Sequence, residues 1–335
     1  MTDKTVRVGC LGAARIAPKA LVYPAKALGR IELSAIAARD QRRAQEFSKA
    51  HGFQRALQSY EDIIADPSID LIYIPLPIDA HVEWSIRALE AGKHVLCEKP
   101  FAMNIDEARQ AVACAEKTGK RLIEAFHYRY HPAFETVMAW IAAGRLGEIQ
   151  SIDAVFNAGI PDRDGAEIRH QPARGGGAFM DLGCYPLNWA LTVADAAPDN
   201  IEARATLTPK GVDETMEVSL RFAGGVTARL HSSMALDAPR ASSLTVVGSR
   251  DTLIFEQLIA PQEGAKIYLK SAPQERVPID RLSTYVHQMR AVVDAIETGE
   301  KLPSEGEHIL RQQQALDDIY AAAGLSYLRT SSAET

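Results

Sequence analysis

Four segments near the start of the chain, TVRVGCL, IELSAIAA, IDLIYIPL and KHVLCEK, are almost continuously apolar, and helix-length stretches separate them. A strand that is apolar on both faces must be covered on both faces, and sheets built that way are parallel ones. Strand and helix alternating over the first ~125 residues therefore predict a doubly wound parallel sheet. QRRAQEFSKAHG reads as a helix stopped at Gly52, SYEDIIAD as a short helix, and AHVEWSIRALEAG as an amphipathic helix with a glycine stop. ARIAPKALVYPAKAL reads as one helix with Pro18 in its first turn, NIDEARQAVACAEKTG as another, and RLIEAFHY as a further strand.

The pattern then changes. A helix over about 132–143 precedes LGEIQSIDAVFNA, which alternates as an antiparallel strand does. The Gly-rich segment ARGGGAFMDLGCYPLNWALTVAD turns helical, and strand-like runs follow in IEARATL, TMEVSLRF, GVTARLHSSM, ASSLTVVGS and DTLIFE. Two helices, roughly 281–298 and 305–325, close the chain. The reading is two domains: 1–126 as a parallel α/β domain, and 127–335 as an α+β domain with a mostly antiparallel, open-faced sheet, the last helices being free to pack back on the first. A length of 335 residues suits two domains.

Composition narrows the function classes. A net charge of −6 argues against nucleic acid as the main partner, since phosphate backbones need a basic surface. No apolar run reaches membrane-spanning length, and none resembles a signal peptide, so a cytoplasmic location is expected. Cys10, Cys97, Cys114 and Cys184 form no C-x-x-C pair; Cys10 and Cys97 lie in apolar strands and read as buried free thiols. The nine histidines show no H-x-x-x-H or H-E-x-x-H spacing, so no metal site is expected.

The first strand runs into Gly12-Ala13-Ala14-Arg15-Ile16-Ala17, a G-x-G-x-x-G frame with alanine at the second and third glycine positions. Such a turn needs a tight bend and close backbone approach so that a pyrophosphate meets the helix N-terminus. The second strand ends at Ala37-Ala38-Arg39, where NAD-preferring sites place an acid. A guanidinium at that tip suits a ribose 2′-phosphate, which makes Ala38, Arg39 and Arg43 candidates for NADP rather than NAD. The third long strand ends Ile74-Pro75-Leu76-Pro77, with His81 in the next helix; this backbone would flank the nicotinamide ribose, and His81 reads as structural more readily than catalytic.

KHVLC followed by Glu98-Lys99-Pro100 resembles the glucose–fructose oxidoreductase / inositol dehydrogenase / MocA family. GCLGAARIAPKAL, YIPLPIDAHVEW, EAFHYRYHP and GGGAFMDLGCYPLNW resemble it too, in order along nearly the whole chain. The resemblance implies an N-terminal Rossmann domain, a nicotinamide cofactor, and a C-terminal substrate and dimerisation domain. The most similar branch, with dihydrodiol dehydrogenases and NADP-dependent aldose 1-dehydrogenases, has tyrosine where the inositol dehydrogenases have histidine; here that position is Tyr185. The family's P-N-x-x-H appears as Pro77-Ile78-Asp79-Ala80-His81, without the asparagine.

Oxidising an alcohol requires a hydride acceptor and management of the hydroxyl proton. Lys99 follows a strand at the sheet's carboxyl edge, and Asp181 and Tyr185 are spaced i, i+4, which a helix would put on one face. A phenol, with an ordinary pKa near ~10, is a poor base until an ammonium favours the phenolate. Tyr185 is thus read as the proton carrier, Lys99 as its electrostatic partner and substrate anchor, and Asp181 as the orienter, meeting across a domain cleft; the first two roles are interchangeable. Glu98, Lys99 and Arg129 are expected near the cofactor, and Lys99, Arg129, Arg169, Asp181 and Tyr185 near a sugar-like or diol substrate. His131 reads either as a substrate contact or as a structural joint. The alternative is a catalytically inactive, NADP-sensing regulatory protein of the same fold, against which the presence of both Lys99 and Tyr185 weighs. The open sheet face, with TARLHSSM and SLTVVGS, is expected to pair a dimer or a tetramer.

Overall fold

The computed structural model describes residues 5–325. The chain divides into two compact units: one runs up to Ala102 and includes Asp106–His127 and Thr284–Leu310, and the other holds Met103–Ile105, Tyr128–Ser283 and the chain from Arg311 onward.

The first unit is built on six strands: β1 (Val6–Leu11), β2 (Ile31–Ala37), β3 (Arg55–Ala56), β4 (Leu71–Ile74), β5 (His94–Cys97) and β6 (Leu122–Glu124). They are all parallel, in the order β3-β2-β1-β4-β5-β6. The order reverses between β1 and β4, the switch point where open α/β sheets bind ligands. Intervening helices are α1 (Tyr23–Leu28), α2 (Gln41–His51), α3 (Tyr60–Ala65), α4 (His81–Glu90) and α5 (Ile105–Thr118).

The segment read as one helix from Ala14 onward is instead a wide π-type turn, Pro18–Val22, running into α1. Two prolines account for this. Pro18 lacks the N–H, and Pro24 would drive its ring into the carbonyl four residues back in a regular helix, which the wider turn avoids. RLIEAFHY is a strand only over Leu122–Glu124 and then becomes a tight turn at His127–Tyr130.

Helix α8 (Thr284–Thr298), some 160 residues downstream of this turn in the chain, completes the first unit. Its Met289, Val292 and Val293 lie in one core with Val8, Leu21, Ile36, Tyr73 and Leu96. Arg30 fixes its outer face, with Nη1 2.6 Å from Asp294 and Nη2 2.8 Å from Glu297.

The second unit holds α6 (Pro132–Ala142), α7 (Cys184–Ala194), most of α9 (Glu307–Ala322) and seven strands. These are β7 (Ile149–Asn157), β8 (Pro198–Leu207), β9 (Asp213–Phe222), β10 (Thr227–Ser233), β11 (Ala241–Gly248), β12 (Thr252–Glu256) and β13 (Lys266–Leu269), in the order β13-β12-β11-β7-β10-β9-β8. Every pairing is antiparallel except β7 with β10.

One face of this sheet is a core of Leu220, Leu230, Ile152, Leu244, Val246 and Phe255. The apolar residues of TARLHSSM, Ala228 and Leu230, point into that core. The open face therefore carries Thr227, Arg229 and His231 from this strand and is more polar than the sequence suggested. The period-2 alternation was legible, but not which set of side chains the unit keeps for itself.

Two glycines in the GGG run are required by close packing. Gly177 has φ +130°, and a Cβ there would run into the Asp213 carboxylate. At Gly176 a Cβ would lie 2.7 Å from the Gln171 carbonyl oxygen. Asp213 is fully buried; it accepts from the Phe179 amide at 2.6 Å and from the Tyr320 hydroxyl at 2.8 Å, while that hydroxyl accepts from the Met180 amide at 3.1 Å. Tyr320→Phe should cost about 1–3 kcal/mol, the range for leaving buried polar groups short of a partner, and Gly177→Ala should cost more. Urea unfolding of both variants checks the ranking; Gly177→Ala as stable as the parent would refute it.

Candidate active site

Because the first sheet is parallel, the carboxyl ends of its strands share one edge. Gly12 follows β1 there, Arg39 follows β2, Pro75–Pro77 follow β4, Glu98–Lys99 follow β5 and His127 follows β6. Gly12 has φ +110°, which glycine tolerates, and a Cβ on it would approach Leu76 Cδ2 to 3.0 Å. That is a cradle for close backbone approach at the switch point, which fits a dinucleotide's pyrophosphate. Ala13 is buried, Ala14 and Ile16 are half-buried and Arg15 is exposed.

The tip of β2 resolves the roles of three charged residues. Ala38 is buried. Asp40 caps α2, accepting from the Arg43 amide at 3.2 Å, so its carboxylate serves the helix. Arg43 reaches back, its Nη2 donating to the Ala13 carbonyl at 2.8 Å, and braces the glycine turn. Arg39 is exposed beside it.

The ends of β4 and β5 are joined by His81. It is buried, with Nε2 2.8 Å from the Leu76 carbonyl and Nδ1 3.1 Å from the Pro100 carbonyl. A neutral ring donates to only one of them at a time. Burial holds its pKa below the usual histidine value despite these carbonyls. The Lys99–Pro100 bond is cis. Glu98 accepts from the Tyr73 hydroxyl at 2.7 Å, and Glu124 accepts from the Phe101 amide at 3.0 Å. His81 is thus a structural joint of the loops that carry Leu76 and Lys99.

His127, which the sequence reading passed over, lies within the electrostatic reach of Lys99. It is buried, its Nδ1 is 2.7 Å from the Thr284 hydroxyl, and its ring lies 4.0 Å from that of Tyr285. Burial, and then the Lys99 charge, push its pKa down to about 3. Only α8, far along the chain, supplies Thr284 and Tyr285, so no local signal marked the group.

In the second unit, Asp181 and Tyr185 do not share a regular helix. Asp181 lies in a wide π-type turn, Phe179–Gly183, and Tyr185 in the first turn of α7. The i, i+4 reading assumed 3.6 residues per turn, and the wider turn breaks that interval. Asp181 accepts from Arg169 Nε at 2.6 Å, and Arg169 Nη1 holds Glu167 at 2.9 Å. The Asp181 charge, opposing burial, raises the Arg169 pKa further above its ordinary value.

Tyr185 is nearly buried, its ring edge-on to Phe156 and tilted to Tyr128. A polar chain anchors its helix: the Tyr128 hydroxyl donates to Asn188, Asn188 donates to Gln312 at 3.0 Å, and Gln312 donates to the Cys184 carbonyl at 2.9 Å. Arg129 lies along α7, with Nη1 3.4 Å from Asn188 and 3.3 Å from Thr192. His131 caps α6; Nδ1 accepts from the Ala133 amide, so Nε2 carries the proton toward the Asp280 carbonyl at 3.1 Å. Among the described residues, no group of three or more His, Cys, Asp or Glu side chains is placed to hold a metal ion. All four cysteines are free, and Cys114 alone among them is not buried.

Two family models match the chain. The oxidoreductase family with an NAD-binding Rossmann fold covers residues 6–126, and the GFO/IDH/MocA C-terminal domain covers residues 134–254. The chain is 35% identical to the D-xylose 1-dehydrogenase (NADP(+)) 2 of Haloferax volcanii, over 94% of this chain and 96% of that protein. It is 34% identical to the trans-1,2-dihydrobenzene-1,2-diol dehydrogenase of Xenopus laevis, over 64% of each. Among solved structures it is similar to KijD10, a 3-ketoreductase from Actinomadura kijaniata in complex with NADP and TDP-benzene. That similarity has a TM-score of 0.83 and 28% identity, and covers 95% of this chain and 98% of that one.

A buried neutral His127 has a pH consequence. Its folded pKa lies below the unfolded value near ~6.5, so the unfolded chain binds the extra proton. Its contribution is full above pH ~6.5 and is lost as pH falls toward about 3, at up to ~1.4 kcal/mol per pH unit. Urea midpoints between pH 7.5 and 4.5 should fall less steeply in His127→Gln than in the parent; identical slopes would contradict the assignment.

Proposed function

The chain belongs to the GFO/IDH/MocA oxidoreductase family, and from that premise we propose that it is an NADP-dependent dehydrogenase or reductase acting at a CH–OH or C=O carbon of a sugar, polyol or vicinal diol. The observation that carries the reading is the shared carboxyl edge of the first sheet. It presents a glycine cradle at the switch point, a guanidinium at the β2 tip and Lys99 at the end of β5.

Gly12, Ala13 and Ala14 would hold the pyrophosphate, and Arg39 the 2′-phosphate, with Arg43 bracing the turn and Ala38 and Pro75–Pro77 lining it. The nicotinamide, when bound, supplies the hydride acceptor or donor. The protein's own task is the proton. We assign it to Tyr185, with Lys99 as the cation that favours the phenolate and holds the substrate oxygen. Asp181, ionically tied to Arg169, orients the polar end of the substrate. Arg169 is therefore read as an anchor of Asp181, and Arg129 as a support of α7, in addition to their expected substrate contacts. The first unit serves as the cofactor domain and the second as the substrate domain. Relatives named for an aldose, a dihydrodiol and a didehydro-sugar support the substrate class.

Tyr185→Phe and Lys99→Ala should each lower kcat by at least ~100-fold, the range typical of a lost proton-transfer group. NADPH binding, followed by its fluorescence, should persist in both. A panel of aldoses, polyols, keto-sugars and dihydrodiols with NADP and NAD provides the substrate; both variants retaining near-parental turnover would refute the assignment.

We also infer a homo-oligomer, at least a dimer, through the open face of the second sheet. Val155, Val247, Ile254 and Tyr268 are half-buried on the outward side of adjacent strands there, beside the Arg229–Asp153 ion pair. Light scattering should give about twice the chain mass or more; a single-chain mass at working concentration would refute it. No described helix is long and apolar enough to cross a membrane, and a cytoplasmic location is our reading.

A further inference from the structure

Tyr60 opens α3, directly after Ser59, whose hydroxyl and the Asp62 carboxylate form a reciprocal cap. That cap fixes where the ring leaves the backbone. The ring stands edge-on to Trp84 of α4, with centroids 5.0 Å apart. Trp84 is covered in turn by the Arg87 guanidinium at 4.2 Å, and Arg87 holds Glu61, the neighbour of Tyr60, at 2.9 Å. The ring is thus held from two sides without any use of its hydroxyl.

The hydroxyl itself takes no hydrogen bond from the described protein. It is aimed at the glycine turn, 3.8 Å from where a Cβ on Gly12 would stand, on the same patch that Leu76 Cδ2 approaches. Arg39 and Arg43 both act electrostatically on it. Arg43 is already engaged with the Ala13 carbonyl, so the phenol, the exposed Arg39 and the turn form one electropositive corner beside the β2 tip. A half-buried, preoriented donor beside two guanidinia, with no protein acceptor, is a group waiting for an anion. Burial outweighs the two guanidinia and raises the phenol's pKa, so the group stays a donor at neutral pH.

We propose that Tyr60 is a further cofactor-recognition residue, whose hydroxyl donates a hydrogen bond to the 2′-phosphate of the adenosine half. This rests on the NADP reading. The position beside Arg39, where a ribose 2′-substituent lies in this kind of fold, favours the 2′-phosphate over the pyrophosphate. Tyr60 then adds direction to a site whose arginines supply charge.

The test is calorimetric binding of two fragments, 2′,5′-ADP and 5′-ADP, to the parent, Tyr60→Phe and Arg39→Ala. Tyr60→Phe keeps the ring against Trp84 and deletes an oxygen that no protein group uses, so its folding should match the parent. It should weaken 2′,5′-ADP by about tenfold and change 5′-ADP by less than about twofold, as expected for one hydrogen bond to a charged group. Equal losses for both fragments would place the hydroxyl on the pyrophosphate side and overturn the proposal, as would no loss for either. Arg39→Ala separates the two readings: if it too shows no selective loss of 2′,5′-ADP, the NADP assignment itself fails, whereas a selective loss there with none in Tyr60→Phe sinks only the role of Tyr60.

Discussion

The parallel register of the first sheet governs the placement of the cofactor-side groups. Parallel strands deliver their carboxyl ends to one edge, so residues from 12 to 127 arrive there without any long-range side-chain recognition. What remains is to hold the loops at that edge still, and this is done with backbone carbonyls and buried polar side chains. His81 spans the carbonyls of Leu76 and Pro100, Glu124 takes the Phe101 amide, and Arg43 takes the Ala13 carbonyl. Each tie joins a loop to an element already fixed by the core. The loop bearing Lys99 is therefore as well determined as the strand before it, which positioning a reacting group requires.

The second unit meets the same requirement by a different device. Its key segment, Gly175 to Tyr185, is not a strand end, so it needs an internal anchor. The fully buried Asp213 provides this by capping the Phe179 amide and taking the Tyr320 hydroxyl. The glycine at 177 exists because that carboxylate occupies the space a side chain would need. The wide turn that follows displaces Asp181 from the regular helix and leaves it to Arg169. A buried carboxylate left without its donors costs several kcal/mol, so the anchor is worth keeping only where a segment's conformation matters. The segment it fixes is the one that carries Asp181 and Tyr185, two of the residues proposed to meet the substrate.

The strands of the first sheet and the position of the glycine turn were legible because burial on both faces leaves an unmistakable apolar run. Lys99 was legible from its place after such a run together with the resemblance. The wide turns at Pro18–Val22 and Phe179–Gly183 were not, since proline placement and a buried anchor 34 residues further on decide them, rather than periodicity. His127 was missed because the groups that define its surroundings, Thr284 and Tyr285, come from α8. Tyr60 was read only as part of a short helix, and nothing in YEDIIAD reports that its ring would face a glycine some fifty residues earlier. Outward and inward sides of TARLHSSM were ambiguous for a related reason: alternation gives two faces and does not label them.

The histidines at these sites bear on which group moves the proton. His81, His127 and His131 are each buried, and for each the dominant effect of burial is to lower the pKa, so at neutral pH they are uncharged. Each also has a ring nitrogen within hydrogen-bond distance of a carbonyl, a hydroxyl or an amide. An imidazole held this way serves as a joint, because protonating it would bring a charge into a site that disfavours one. Neutrality at His127 has a second effect. A charged ring there would repel the ammonium of Lys99, and a neutral one does not. With these imidazoles held neutral as joints, the proton is left to another group, which is why the proposal gives that role to the phenol of Tyr185.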